Sequence, residues 1–184
     1  MKKGIALILF IAAFALFAQA GTLQFNSTGS YNYLGEPSYV YDMTLDGKPI
    51  TAMCLNNNLW VAGGETWQVF IEPVMTPLEQ QAAWLFLRAG DGSNSDYQGA
   101  VWYLFNNGTT LTPGAADLVA LAESQTFTTN EFSGIRLLVP TGDETGWTNG
   151  QPQTFMVTPE PGTLSLIGTG LLFGAAALRK RLLI

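Results

Sequence analysis

The hydrophobic pattern changes period several times along the chain. Gly4 to Phe17 is an unbroken apolar run. From Tyr39 the pattern is alternating. Tyr39 to Leu45 and Pro49 to Leu55 read as two strands around Asp46-Gly47-Lys48, a hairpin signal. Cys54 falls near the end of the second strand, and Asn56-Asn57-Asn58 reads as a turn. Glu65 to Ile71 reads as a further strand, ended by Glu72-Pro73, and Tyr31, Tyr33, Tyr39, Tyr41, Trp60, Trp67 and Phe70 suit strand faces. The period then becomes helical. Thr76-Pro77-Leu78-Glu79 is a capping box with proline at the first helical position. That helix is expected to carry Ala82, Ala83, Trp84 and Leu87 and to stop at Gly90. A second helix is expected from Ser95 to Gly108, and a third over Ala115 to Ser124. Ile135 to Val139 and Thr154 to Val157 return to strand, and no internal repeat is found. Strands, then helices, then strands predict an α+β fold: an antiparallel β-sandwich or barrel-like sheet with a two- to three-helix insertion.

The two ends carry addresses rather than fold. Met1-Lys2-Lys3, the apolar run and Ala18-Gln19-Ala20 before Gly21 have the layout of a secretory signal peptide, residues 1–20. No Cys follows the run, which argues against lipoprotein processing. At the other end Pro159-Glu160-Pro161 forces extended backbone at Thr158 and Glu160. Thr163 to Leu178 is sixteen residues without a charge, followed by Arg179, Lys180 and Arg181. The run is a little under the roughly 20 residues that cross a bilayer core. Three cations at its end predict a single C-terminal transmembrane helix with its basic end in the cytoplasm; the alternative is a buried helix of a soluble domain. This order resembles the PEP-CTERM sorting signal of bacteria, with Gly162 standing where many members have Ser or Ala. The resemblance covers residues 158–184. It implies an exosortase as processing partner, a transient anchor in the inner membrane, and release or transfer to the cell surface or extracellular matrix.

Between the ends lies one domain, residues 21–157. It holds Lys48, Arg88 and Arg136 against thirteen acids, a net charge of −10. Such a body has no electrostatic footprint for nucleic acid and avoids anionic lipid. The chain has no His, which removes the usual general base and zinc ligand, and Cys54 is its single Cys. No metal-ligand set and no cofactor motif is found, and the chain is not expected to be an enzyme. Asp91, Ser93, Ser95 and Asp96 offer oxygens to Ca²⁺ but lack the EF-hand series, so a plain loop is the better reading. Asp143 and Glu144 have no supported glycosidase spacing. Asn26-Ser27-Thr28 and Asn107-Gly108-Thr109 match glycosylation sequons and carry little weight in a bacterial protein.

One helix has an unusual stripe. Gln98, Val101, Trp102 and Phe105 share a face that is apolar apart from the amide. A buried carboxamide needs specific partners or costs about 1–3 kcal/mol. A Cys closing an early strand, Gly64-Glu65-Thr66-Trp67, Ala82-Ala83-Trp84-Leu85 and Gln98-Gly99-Ala100-Val101-Trp102 follow in order. From Tyr39 to Asn107 the body resembles the thioester domain of bacterial surface adhesins. Tyr97 replaces the usual Thr and Met53 the usual aromatic residue. The resemblance implies an internal Cys54–Gln98 thioester, shielded from water by Trp84 and Trp102 and opened by an amine-bearing surface or matrix partner. The alternative is that Cys54 is a small buried hydrophobe and that Gln98 bonds backbone. The body is then either a covalent adhesin or a non-covalent structural component of the extracellular polymer. A hydrolase acting through acids alone is the weakest reading.

Overall fold

The structure, a computed structural model, describes residues 19–58, 61–128, 130–141 and 153–158. Six antiparallel strands close a barrel in the order β1-β4-β5-β8-β7-β6: β1 (Gln19–Thr28), β4 (Tyr41–Leu45), β5 (Lys48–Cys54), β6 (Thr66–Pro73), β7 (Arg136–Pro140) and β8 (Phe155–Val157). A small hairpin, β2 (Asn32–Tyr33) with β3 (Glu36–Pro37), is inserted between β1 and β4. Three helices are inserted between β6 and β7: α1 (Pro77–Phe86), α2 (Asp96–Phe105) and α3 (Pro113–Glu123). This is the expected α+β arrangement, realised as a closed barrel, which leaves no sheet edge to be protected.

Local chemistry sets the elements. Asp46 and Gly47 both have positive φ, 51° and 75°, which is the two-residue turn whose twist matches a β4–β5 hairpin. In α1 the Thr76 hydroxyl accepts from the Glu79 amide, and the Glu79 carboxylate accepts from the amides of Thr76 and Met75. The helix ends at Phe86, short of the expected Gly90. Leu87 is its cap and points outward, 52% exposed. α2 ends at Phe105 rather than Gly108, because Asn106 is extended and its side chain reaches back to Asn57 and Asn58. α3 starts at Pro113, earlier than expected, with the Thr112 hydroxyl capping Ala115.

Leu23, Met43, Trp67, Val69 and Phe155 are fully or almost fully buried, and Trp67 and Tyr41 meet the Phe155 ring at 6.2 and 5.8 Å between centroids. At the end of β5 the alternation breaks, since Ala52, Met53 and Cys54 are all buried. β8 is buried at all three positions. Both faces of this wall are covered, and α2 packs on β5. No helix among the described residues is long and apolar enough to cross a membrane, and the segment expected to do so lies outside them.

Candidate functional site

Cys54 is the last residue of β5, and β8 is what gives it a neighbour. The two strands pair Ala52 with Val157, Met53 with Met156 and Cys54 with Phe155. The Leu55 amide extends the ladder by donating to the Thr154 carbonyl at 3.0 Å. The residue before Thr154 is Gln153, a buried polar side chain. Its Oε1 lies 2.6 Å from Cys54 Sγ, and the Asn56 carbonyl oxygen lies 3.0 Å from the same sulfur. Cys54 is fully buried, and burial pushes its thiol up to about 12, while the Trp102 side chain and the Asn56 backbone pull the other way. The buried Trp102 Nε1–H makes no well-aligned hydrogen bond. It therefore acts on the sulfur by proximity, not through a formed bond.

Gln98 occupies the opposite side of Cys54. It is fully buried on α2. Its Nε2 donates to the Cys54 carbonyl at 2.7 Å, and its Oε1 accepts from the Tyr39 amide at 3.2 Å. The buried carboxamide thus has the specific partners its position requires, and both are backbone. Cys54 and Gln98 are adjacent, as expected, but through the Cys54 main chain. The sulfur faces Gln153, which the sequence reading of the site did not include. Gln153 precedes a short strand in a stretch without periodic pattern, and only the β5–β8 pairing reveals it.

The aromatic residues divide. Trp102, 3% exposed, lines the mouth above Gln153 and meets Tyr33 edge-on at 6.1 Å. Tyr33 lies over Gly99, where any Cβ would overlap its ring. Its hydroxyl donates to the Thr110 carbonyl and accepts from the Thr112 amide, both at 3.0 Å. Trp84 is also buried, but it lies under the Arg88 guanidinium at 3.8 Å and does not line the mouth. Phe25, Tyr41 and Val61 line it together with Trp102. The mouth measures about 110 Å³, and Glu36, Pro37, Thr28 and Asn57 also border it. Tyr41 donates to the Pro37 carbonyl at 2.6 Å. Burial, then Cys54 and Glu36 nearby, raise its hydroxyl far above the ordinary value.

Among the described residues no group of three His, Cys, Asp or Glu side chains can hold a metal ion. The loop oxygens are used internally: Asp91 accepts from the Ser93 amide, and Asp96 from the Thr112 hydroxyl. At the signal end, Gln19 and Ala20 pair with Ile71 and Phe70. Cleavage before Gly21 would remove those two pairs and keep Gly21 to Gln24 on β6. Ala18, Pro159, Glu160, Pro161, Arg179, Lys180 and Arg181 lie outside the described residues.

Comparison with known proteins bears on the tail. No curated protein and no solved structure matches the chain. Residues 157–181 match the PEP-CTERM protein-sorting motif. The motif marks an exported protein that is anchored in the membrane before an exosortase processes it.

Proposed function

We propose that the exported body is a covalent surface anchor whose reactive group is an internal thioester between Cys54 and Gln153. The Cys54 sulfur attacks Gln153 Cδ, the C–N bond breaks, and the nitrogen leaves as ammonia after taking the thiol proton. A primary amine on a surface or matrix partner later attacks the same carbon. The C–S bond breaks, the sulfur recovers a proton, and the protein is joined to its partner through an amide at Gln153.

The observation that carries this reading is the 2.6 Å between Cys54 Sγ and Gln153 Oε1. It is shorter than an ordinary N–H···O bond of about 2.7–3.2 Å, although sulfur is the larger atom. Sulfur and oxygen come this close when both are bonded to one carbonyl carbon. The burial around Cys54 and Trp102 supports the reading too, since a dry site slows hydrolysis. Gln98 holds the Cys54 carbonyl and so fixes the strand end that carries the sulfur.

A second reading, a non-covalent component of the extracellular polymer, is favoured by one observation. A thiol pushed up to about 12 is neutral at physiological pH and a poor nucleophile. Intact mass of the exported chain separates the two. The thioester form is lighter by one ammonia. Methylamine adds its whole mass, which leaves the chain heavier than the full-mass form by the difference between methylamine and ammonia, and frees the thiol. Cys54→Ala and Gln153→Ala each abolish the loss. A chain of full mass with a titratable Cys54 before any amine is added leaves the non-covalent reading standing.

A further inference from the structure

We infer that the mouth over Gln153 is a subsite for an unbranched cationic alkylamine, such as a lysine side chain, with Glu36 as its specificity-determining residue. The inference rests on the Cys54–Gln153 reading and goes beyond it by stating which amines enter and what selects them.

The lining is apolar and aromatic on most sides, with Phe25, Tyr41, Val61 and Trp102 around the Gln153 amide. Among the described residues one carboxylate, Glu36, borders it, and no cation does. Glu36 is exposed on β3, at the outer rim. This gradient matches one kind of group. A polymethylene stem lies against apolar side chains while its charged head stays at a polar rim or meets ring faces. The mouth, about 110 Å³, is well below the roughly 300–1,000 Å³ of sites that enclose whole small molecules. A volume of that size suits a single unbranched side chain.

The carboxylate also answers a chemical need. An ammonium cannot attack a thioester until it loses a proton, and the chain has no His to take it. Glu36 accepts that proton at the rim and later passes it to solvent. The neutral nitrogen bonds to Gln153 Cδ, and the C–S electron pair goes to sulfur. The second nitrogen proton moves to Cys54, and the third stays on the new amide. A thiol as weakly acidic as Cys54 retains its proton, which favours completion.

The test compares two nucleophiles on the full exported chain. One is Nα-acetyl-lysine amide, cationic at neutral pH. The other is hydroxylamine, small and uncharged there. Adduct formation is followed by intact mass for the native chain, Glu36→Gln and Glu36→Lys. The lysine-to-hydroxylamine rate ratio should fall about fivefold or more in Glu36→Gln, the scale of an exposed ion pair plus proton acceptance. It should fall further in Glu36→Lys, and raised salt should lower it in the native chain. An unchanged ratio in both variants overturns the inference while the missing ammonia still attests the thioester. A native chain of full mass overturns the thioester reading and this inference with it.

Discussion

Gln98 and Gln153 are both amides against one cysteine, and they differ in the atom of Cys54 that each reaches. Gln98 meets the carbonyl oxygen and Gln153 the sulfur. That Gln98 is buried and held was legible from its place on an apolar helix stripe. Which of the two faces the sulfur was not, because it depends on a strand pairing ninety-nine residues apart in sequence. Gln98→Ala leaves the Cys54 carbonyl and the Tyr39 amide unpaired, at about 1–3 kcal/mol for each buried group. The expected outcome is a lower unfolding midpoint, with loss of ammonia still detectable in whatever chain folds. Gln153→Ala should reverse the pattern, keeping most of the stability and losing the mass signature. A pH dependence follows from the thiol. Burial raises Cys54 from its ordinary value to about 12, so an amine-opened chain keeps its proton when folded and loses it when unfolded. The unfolded state binds fewer protons over that window, and stability falls as pH rises from about 9 toward 12. The proposed thioester form has no thiol to titrate. Tyr41 shifts in the same direction in both forms, so the measurement is the difference in urea midpoint between untreated and methylamine-treated chain at pH 7 and 10.

At the scale of elements, the legible parts were those with self-contained chemistry. The Asp46-Gly47 turn, the Thr76–Glu79 box and the proline at the start of α1 act within a few residues, and each stands where its pattern put it. Less legible were β1 and the β2–β3 hairpin, which depend on distant partners: β1 holds β4 and β6, and Tyr33 holds α2 and α3. The contact between Tyr33 and Gly99 is the tie between hairpin and helix. A Gly99→Ala methyl would overlap the ring, so β2–β3 has to shift, at about 1–3 kcal/mol for overpacking. Because Glu36 and Pro37 ride on that hairpin, the substitution should also change amine reactivity, whereas an equally destabilising change remote from the mouth should not. Trp84 and Trp102 test the helix packing separately. Both are buried as their helix faces predicted, and truncation of either to Ala should cost about 3–5 kcal/mol in urea unfolding. Only Trp102→Ala should open the mouth and speed hydrolysis of the thioester. Trp84 stacks under Arg88 on the helical layer.

For the whole molecule, barrel closure and sorting meet in a few residues. β8 is short, Phe155–Val157, yet it joins β5 on one side and β7 on the other and so closes the barrel. Pro159 follows after a single intervening residue, Thr158. The chain from Gln153 to Pro159 spans at most about 20 Å when extended. Before processing, the candidate site therefore lies within that reach of the sorting motif. A cut on the N-terminal side of Val157 would take residues out of both ladders, uncover the Cys54 wall and expose the sulfur to water. Processing compatible with a working site leaves β8 whole. The mature C-terminus should accordingly be Val157 or a later residue, and C-terminal peptide mass spectrometry of the processed chain reads it directly. Replacing Pro159 and Pro161 by Ala should leave the chain unprocessed with its body folded and its missing ammonia intact, because both substitutions lie beyond Val157, where β8 ends. A mature end at Met156 or earlier, in a chain that still lacks the ammonia, would mean that β8 is dispensable for the site and that the β5–β8 ladder is not what holds Gln153 on the sulfur.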